Sequence, residues 1–443
     1  MAKNSDVAQL ADIAHLNSGL IDFIQASPTP YHAVRSLACE LEAAGFQYLD
    51  ESEPWKLEKK QGYFVTRAGS SIIAFKTGND DLAANGIRMI GAHTDSPCLK
   101  IKPQPEINRY QYGQLGVEVY GGVLLNPWFD RDLSIAGRVD YREKSGKLCH
   151  CLINFEKAIA IIPSLAIHLD REANENRSIN AQTDVIPVIT QLAKDGSIDL
   201  KRLLLEHLCS TMKLKTAEKV LAYDLRLYDV QPPALIGMHE EFIAGARLDN
   251  LLSCYVGMQS LLLSNDKHAS LLVCTDHEEV GSVSAIGAKG PFLESVVERI
   301  TEALVSLSAE SKRHTLDKSI MFSVDNAHGI HPNFPGKHDD KHGPLLNSGP
   351  VIKINGNQRY ATSSETSAFF RQLCEVNDVP IQAFVVRNDM GCGSTIGPIV
   401  AGELGIKTLD IGVPTFAMHS IREMAGAKDT AYLATALTAF YNR

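Results

Sequence analysis

The sequence predicts an α/β fold, with a mixed, mainly parallel sheet sandwiched by helices and an inserted, β-rich second domain. Three observations carry this. Short apolar runs alternate with helical patterns toward both ends of the chain, which is the pattern of a largely parallel, helix-covered sheet. Between them, from Cys98 to about Gly237, the texture changes to short alternating segments. At 443 residues the chain is also too long for one simple core. The expected boundaries are 1–97 for the first part of a catalytic domain, 98–237 for the insertion and 238–443 for the second part. Such an insertion joins through exposed loops of a compact domain.

Residues 7–26 and 31–46 read as amphipathic helices, split by Ser27-Pro28-Thr29-Pro30. Strands follow at Tyr63 to Arg67, Ser71 to Lys76 and Ile87 to Ala92. In the insertion, Gly116 to Tyr120 and Gly137 to Tyr141 suggest antiparallel strands, and a helix is expected over Leu200 to Met212. After Glu240, helices are expected at 249–263, 290–308, 365–377 and 422–442. Strands are expected at 269–274, 319–324, 350–354, 382–387 and 406–412.

Composition narrows the function classes. Apolar content of 44% and charged content of 21% are those of an ordinary globular protein. A net charge of −9 leaves no basic stripe for nucleic acid. No apolar run is long enough for a membrane span, and the N-terminus carries no apolar signal core. Nine scattered cysteines without a Cys-x-x-Cys pair point to a reducing cytoplasm.

The chemistry is concentrated at strand ends. Cys274-Thr-Asp-His-Glu-Glu-Val-Gly-Ser282 turns from a buried strand straight into acidic residues. Buried carboxylates are costly without compensation, and a metal ion is the usual compensation, while the motif by itself reads equally as a solvated loop that begins with three acids. One of two adjacent glutamates can ligate while the other serves as a base. His93 and Asp95 follow the strand at 87–92, Asp249 opens a helix, Asp325 ends 319–324, and His419 follows 406–412. In open α/β sheets, ligands bind beyond the carboxyl ends of the strands. These residues therefore converge if the strands are neighbours. Two imidazoles and three carboxylates make a two-metal site of nitrogen and oxygen donors. Asp95, two residues beyond His93, is placed to orient it.

The order His-x-Asp, Asp-Asn, Glu-Glu, Asp, His resembles the co-catalytic zinc aminopeptidases. The wording resembles the aspartyl aminopeptidases, which include the vacuolar aminopeptidase I type. The stretches that carry this are GAHTDSP (91–97), NPWFDRDLS (126–134), SLAIHLDR (164–171), GARLDNL (245–251), DHEEVGS (276–282), SVDNAHGIHPN (323–333), PVIKINGNQRYAT (350–362), RNDMGCGSTIGP (387–398) and AMHSIRE (417–423). They span most of the chain.

The resemblance implies two Zn²⁺ ions per subunit, with Mn²⁺ or Co²⁺ as possible alternatives. His93, Asp249 and Asp325 would hold one ion. Asp249, Glu279 and His419 would hold the other, with Asp249 bridging. Glu278 would be the general base. The substrates implied are peptides with a free, preferably acidic N-terminal residue. The assembly implied is a tetrahedral homo-oligomer of twelve subunits, built on dimers through the inserted domain. Lys353 matches the lysine that meets an acidic side chain, although a lysine on an alternating strand is ordinarily exposed. His168, in the insertion, would reach a substrate carbonyl, and its ordinary alternative is a capped or core histidine. Met390 and Gly391 lie in a Gly-rich loop that lacks the Gly-Lys-Ser ending of a phosphate-binding loop and reads as a substrate loop.

Other signals read as ordinary structure. His277 is given no metal role. His328, His331, His338 and His342 form a patch that reads as a loop or a subunit contact. Cys149 and Cys151 share one strand face as packing residues. Competing readings are an aminopeptidase of broader specificity, a related two-metal deacylase or carboxypeptidase, and a non-catalytic shell. Retention of the full ligand set and Glu278 argues against the shell.

Overall fold

A nine-stranded sheet organises the larger part of the computed structural model, which describes residues 4–305 and 308–443. The sheet order is Gln47–Tyr48, Gly62–Arg67, Ser71–Lys76, Ala269–Thr275, Ile87–His93, Ile320–Val324, Lys407–Gly412, Val351–Ile354, Gln382–Val385. The four central strands, from Ala269–Thr275 through Lys407–Gly412, run parallel to one another. Ser71–Lys76 and Val351–Ile354 flank this group in the antiparallel sense. The sheet is therefore mixed, with a parallel centre.

Both faces of the central strands are buried, which is why they read as apolar runs rather than alternating ones. Ala269–Thr275 is buried at all seven positions. Ile90, Leu272, Phe322 and Leu409 face one core, with the helices Asn4–Ala26, Pro30–Ala43, Leu248–Leu263, Ser364–Val376 and Asp429–Tyr441. Met89, Leu271, Val273 and Met321 face the other, against Phe292–Val305 and Ile396–Leu404. The helix Leu248–Leu263 is apolar nearly all round, because it lies between the sheet and three further helices. At Gly257 an added Cβ would come 2.9 Å from Leu272, so glycine sets how closely this helix approaches the sheet. A five-stranded sheet adds Ala234–Ile236, Phe242–Gly245, Glu423–Gly426, Pro414–Phe416 and Ala327–His328.

The chain divides into two compact units, one of residues 1–96, 233–418 and 423–443, the other of 97–232 and 419–422. The second unit is built on a six-stranded antiparallel sheet ordered Leu148–Asn154, Leu133–Glu143, Ala217–Asp229, Cys98–Arg109, Tyr112–Tyr120, Val188–Gln191. Helix Leu200–Ser210 covers it with Leu200, Leu204 and Leu208, one residue per turn. The Asp199 carboxylate caps that helix by accepting from Arg202 N at 3.0 Å.

Three sequence expectations change. The helix expected over 422–442 begins only at Asp429, and Glu423–Gly426 is a strand paired with Phe242–Gly245. Two helices were not expected: Ala309–Lys318, which is almost wholly polar, and Ile396–Leu404, which carries Gly397, Pro398 and Gly402. The helix expected over 290–308 runs from Phe292 to Val305, and residues 306–307 lie outside the described residues, as do the first three of the N-terminus. Among the described residues no helix is long and apolar enough to cross a membrane.

Candidate metal centre

The parallel central strands deliver their last residues to one edge. His93 is the final residue of Ile87–His93, and Thr275 pairs with it across the neighbouring strand. Asp325 directly follows Ile320–Val324, its N–H donating to Ile411 O at 2.9 Å. Asp249 arrives from a different direction, on the loop entering Leu248–Leu263, where the Asp249–Asn250 peptide is cis. That loop is held from several sides. Asn250 Nδ2 donates to Val324 O at 2.8 Å, Ser96 Oγ to Asp249 O at 2.7 Å, and Asp249 N to Glu423 Oε2 at 2.9 Å. Arg247, with φ of 59°, donates to the carbonyls of Ser27 and Ile24.

His93 is 1% exposed and sets the geometry. Its Nδ1 lies 3.0 Å from the backbone oxygen of Asp95, so Nδ1 carries the proton and Nε2 the lone pair. Nε2 faces Asp325 Oδ1 at 3.5 Å, Asp249 Oδ1 at 3.7 Å and Glu278 Oε2 at 4.0 Å. These separations exceed hydrogen-bond lengths. They approach the roughly 3.4 Å that separates two atoms bound to one tetrahedral zinc. His93, Asp249 and Asp325 offer donor atoms all within 4.8 Å of one another, as do His93, Glu278 and Glu279.

Asp95 holds the site in a way the sequence did not suggest. Its carboxylate stands 3.5 Å from His93 Nδ1, while its two oxygens accept from Glu278 N and Glu279 N at 3.1 Å each. The orienting bond to His93 comes from its backbone, and its side chain locks the glutamate turn onto the same strand. His277, in a left-handed conformation, points to Ser284 Oγ at 2.8 Å, away from any ligand role.

The electrostatics are those of a site short of positive charge. Burial, reinforced by neighbouring carboxylates, pushes Glu278 up to about 7 and Glu279 well above the usual carboxylate range. Burial works against a protonated His93, yet Asp325 and Asp95 outweigh it and raise the imidazole well above its ordinary value. Burial also opposes ionisation of Asp325, but Lys353 and His93 hold it far below the usual range. A dication answers this imbalance, since it favours ionised carboxylates and a neutral imidazole. The donor set of one imidazole and several carboxylates fits zinc.

His419 lies in the segment 419–422, which packs with the second unit. Its Nδ1 is 3.1 Å from Gly122 O, which leaves the lone pair on Nε2. His168 is exposed in a turn of that unit, flanked by exposed Leu165, Ile167 and Leu169. Met390 and Gly391 are exposed in a loop, where Met390 lines a cavity of about 490 Å³ with Phe334, Lys337 and Arg387. Lys353 departs from the ordinary picture of a strand lysine. It is 3% exposed, and its Nζ donates to Asp325 Oδ2 at 3.0 Å. Among the described residues no cluster of metal donors includes His328, His331, His338 or His342, and His342 pairs with Asp339.

Sequence reasoning missed three supporting residues. Glu423 and Ser96 lie inside the stretches AMHSIRE and GAHTDSP, so their position was visible although their contacts were not. Cys254 Sγ donates to His93 O at 3.0 Å, and no local signal marks it.

Residues 23–441 match the family of the Aminopeptidase I zinc metalloprotease (M18). The chain is 59% identical over 426 residues to a probable M18 family aminopeptidase 2 of Pseudomonas putida (strain GB-1), covering 96% of this chain and 98% of that protein. Its fold superposes on the mApe1 of Chaetomium thermophilum with a TM-score of 0.87 at 30% identity, covering 97% of this chain and 98% of the other. It is also similar to the S. cerevisiae mApe1 dodecamer, with a TM-score of 0.83, 30% identity and 96% of each chain covered.

Proposed function

The chain belongs to the M18 aminopeptidase family of zinc metalloproteases, and from that premise we propose that it removes N-terminal residues, preferentially Asp or Glu, from peptides with two zinc ions per subunit. His93, Asp249 and Asp325 hold one ion in this reading. Asp249, Glu279 and His419 hold the other, with Asp249 shared. When bound, such ions polarise a scissile carbonyl and lower the pKa of a coordinated water to about 7. The rest is done by the chain. Glu278 takes the proton of the attacking water on its carboxylate and returns it to the leaving amine nitrogen. Asp95 keeps the backbone of both glutamates in register with His93.

Lys353 supplies the positive charge for an acidic side chain, because an ammonium has two further donors beyond the one given to Asp325. Met390 and Gly391 border the substrate, and His168 donates to the substrate carbonyl. The chain assembles as a dodecamer built on dimers in this reading, and the related S. cerevisiae mApe1 is a dodecamer. All nine cysteines are free, which fits action in the reducing cytoplasm.

The observation that carries this reading is His93 Nε2 facing three carboxylates at 3.5 to 4.0 Å, with Glu278 among them. The test is hydrolysis of Asp-, Glu-, Leu- and Lys-p-nitroanilide and of N-acetyl-Asp-p-nitroanilide, each with and without EDTA. The expected result is chelator-sensitive cleavage of the free-amine acidic substrates, with the acetylated one inert. Equal cleavage of Leu-p-nitroanilide would remove the acidic preference. Release of acetate from the acetylated substrate, with no p-nitroaniline from any of the free-amine substrates, would replace the aminopeptidase with a deacylase.

A further inference from the structure

Lys353 is buried in an unusual place for a lysine. Strand Val351–Ile354 lies at the sheet's antiparallel flank, beside Lys407–Gly412. Val351 and Lys353 share one face of it. That face carries a small apolar cluster of Ala327, Val351, Tyr360 and Phe384. Lys353 Nζ lies 5.5 Å from the centre of the Tyr360 ring and 3.0 Å from Asp325 Oδ2. The other oxygen of the same carboxylate, Oδ1, is the one turned toward His93 Nε2 at 3.5 Å. The backbone on the ligand's own side is pinned as well, through Asp325 N to Ile411 O.

From this geometry we propose that Lys353 is a positioning residue for the metal centre: it clamps Asp325 Oδ2, keeps Oδ1 turned toward His93 and Asp249, and so sets the affinity of that one metal position whatever substrate is present. This rests on the two-metal reading above. A carboxylate is free to rotate about its Cβ–Cγ bond and to exchange its oxygens. An ammonium fixed on one oxygen removes that freedom before the ion arrives. Partners that orient ligands in this way typically alter metal affinity by 10- to 100-fold when removed. The clamp acts on Asp325 alone. Glu279 is held instead through its backbone by Asp95.

The experiment is a zinc titration of the purified full-length protein against a chromophoric chelator, with no substrate present, in wild type, Lys353→Met, Asp325→Asn and the double variant. Methionine keeps the buried stem and removes the charge. The melting temperature of the metal-free proteins checks that the variants fold. Wild type is expected to bind two equivalents. In Lys353→Met, one is expected to weaken 10- to 100-fold and the other to stay within twofold. The double variant is expected to be no weaker than Asp325→Asn, because the lysine influences zinc binding only through that carboxylate. Unchanged zinc affinity in Lys353→Met would overturn the proposal, as would equal weakening of both equivalents or full additivity in the double variant. A single equivalent in wild type would sink the two-metal reading instead. Weakening of that one equivalent in Lys353→Met would still support the clamp, and no weakening would overturn it.

Discussion

Glu278 and Glu279 are chain neighbours with different surroundings, and one aspartate makes the difference usable. Asp95 fixes both backbones, so neither carboxylate has to anchor its own turn. Glu278 Oε2 then stands 4.0 Å from His93 Nε2, farther than the Asp325 and Asp249 oxygens at 3.5 and 3.7 Å. Glu278→Gln keeps the shape and removes the base. It is expected to lower kcat by about 10²–10⁴-fold while zinc content stays at wild-type stoichiometry, the size of a lost general base. Metal lost in step with activity would instead make Glu278 a ligand. Away from the site, His32 is 1% exposed and bonded to Thr29 Oγ1 at 2.8 Å. Burial, aided by Arg35 and Arg247, lowers its pKa from 6.5 to about 3. The unfolded chain binds this proton first as pH falls, so stability rises with pH across the window. The contribution is complete above pH 6.5 and is lost on the way down toward pH 3. His32→Gln is expected to be less stable than wild type at pH 7, with the gap narrowing by about 2 kcal/mol at pH 5. Equal gaps at the two pH values, measured by urea unfolding, would show that His32 titrates normally.

Helix Leu200–Ser210 shows how a single element separates core from surface. Leu204 is fully buried against the inserted sheet, while its neighbour Leu203 is 42% exposed. Leu204→Ala is expected to cost about 2–5 kcal/mol through lost burial and the cavity left behind. Leu203→Ala is expected to stay within about 0.5 kcal/mol. The two tryptophans allow this to be read unit by unit, because Trp55 lies in the larger unit and Trp128 in the inserted one. In a Trp55→Phe background, fluorescence reports only the inserted unit. Similar midpoints for both leucine variants would mean that the helix is not packed as described. The elements legible in the sequence were those whose burial is written locally. Ala269–Thr275 is buried on both faces and reads as a continuous apolar run, and its abrupt acidic end marks the site. Ala309–Lys318 was hidden because it buries only Thr315, leaving no apolar stripe to detect. Ile396–Leu404 was hidden by its glycines and proline, which a packed helix tolerates where Gly397 meets Asp410 closely. The burial of Lys353 is not written in the strand pattern around it, because its partner, Asp325, is distant in sequence. Glu423 was read as helical because its strand partner, Gly245, is likewise remote.

On the scale of the whole molecule, the inserted unit exposes more apolar surface than its own sheet needs. Leu165, Ile167 and Leu169 are 58%, 47% and 75% exposed along one short turn, with His168 among them. Exposed apolar clusters of this kind mark contact surfaces in soluble proteins. The proposed dodecamer gives them an occupant, a second copy of the same chain, and closed symmetric assembly makes such a patch self-limiting. Twelve chains of 48.4 kDa give a particle of about 580 kDa, which light scattering after size exclusion measures directly. Leu165→Asp combined with Leu169→Asp puts charge into that seam and is expected to shift the population to smaller species, with each chain still folded by circular dichroism. If His168 serves a neighbouring subunit, the dissociated protein keeps its zinc and loses kcat, and adding His168→Ala changes nothing further. If His168 serves its own subunit, dissociation leaves kcat near wild type and His168→Ala lowers it in both assembled and dissociated forms. A double variant that remains a 580-kDa particle would remove this turn from the interface, since two buried like charges in a contact cost more than most interfaces tolerate.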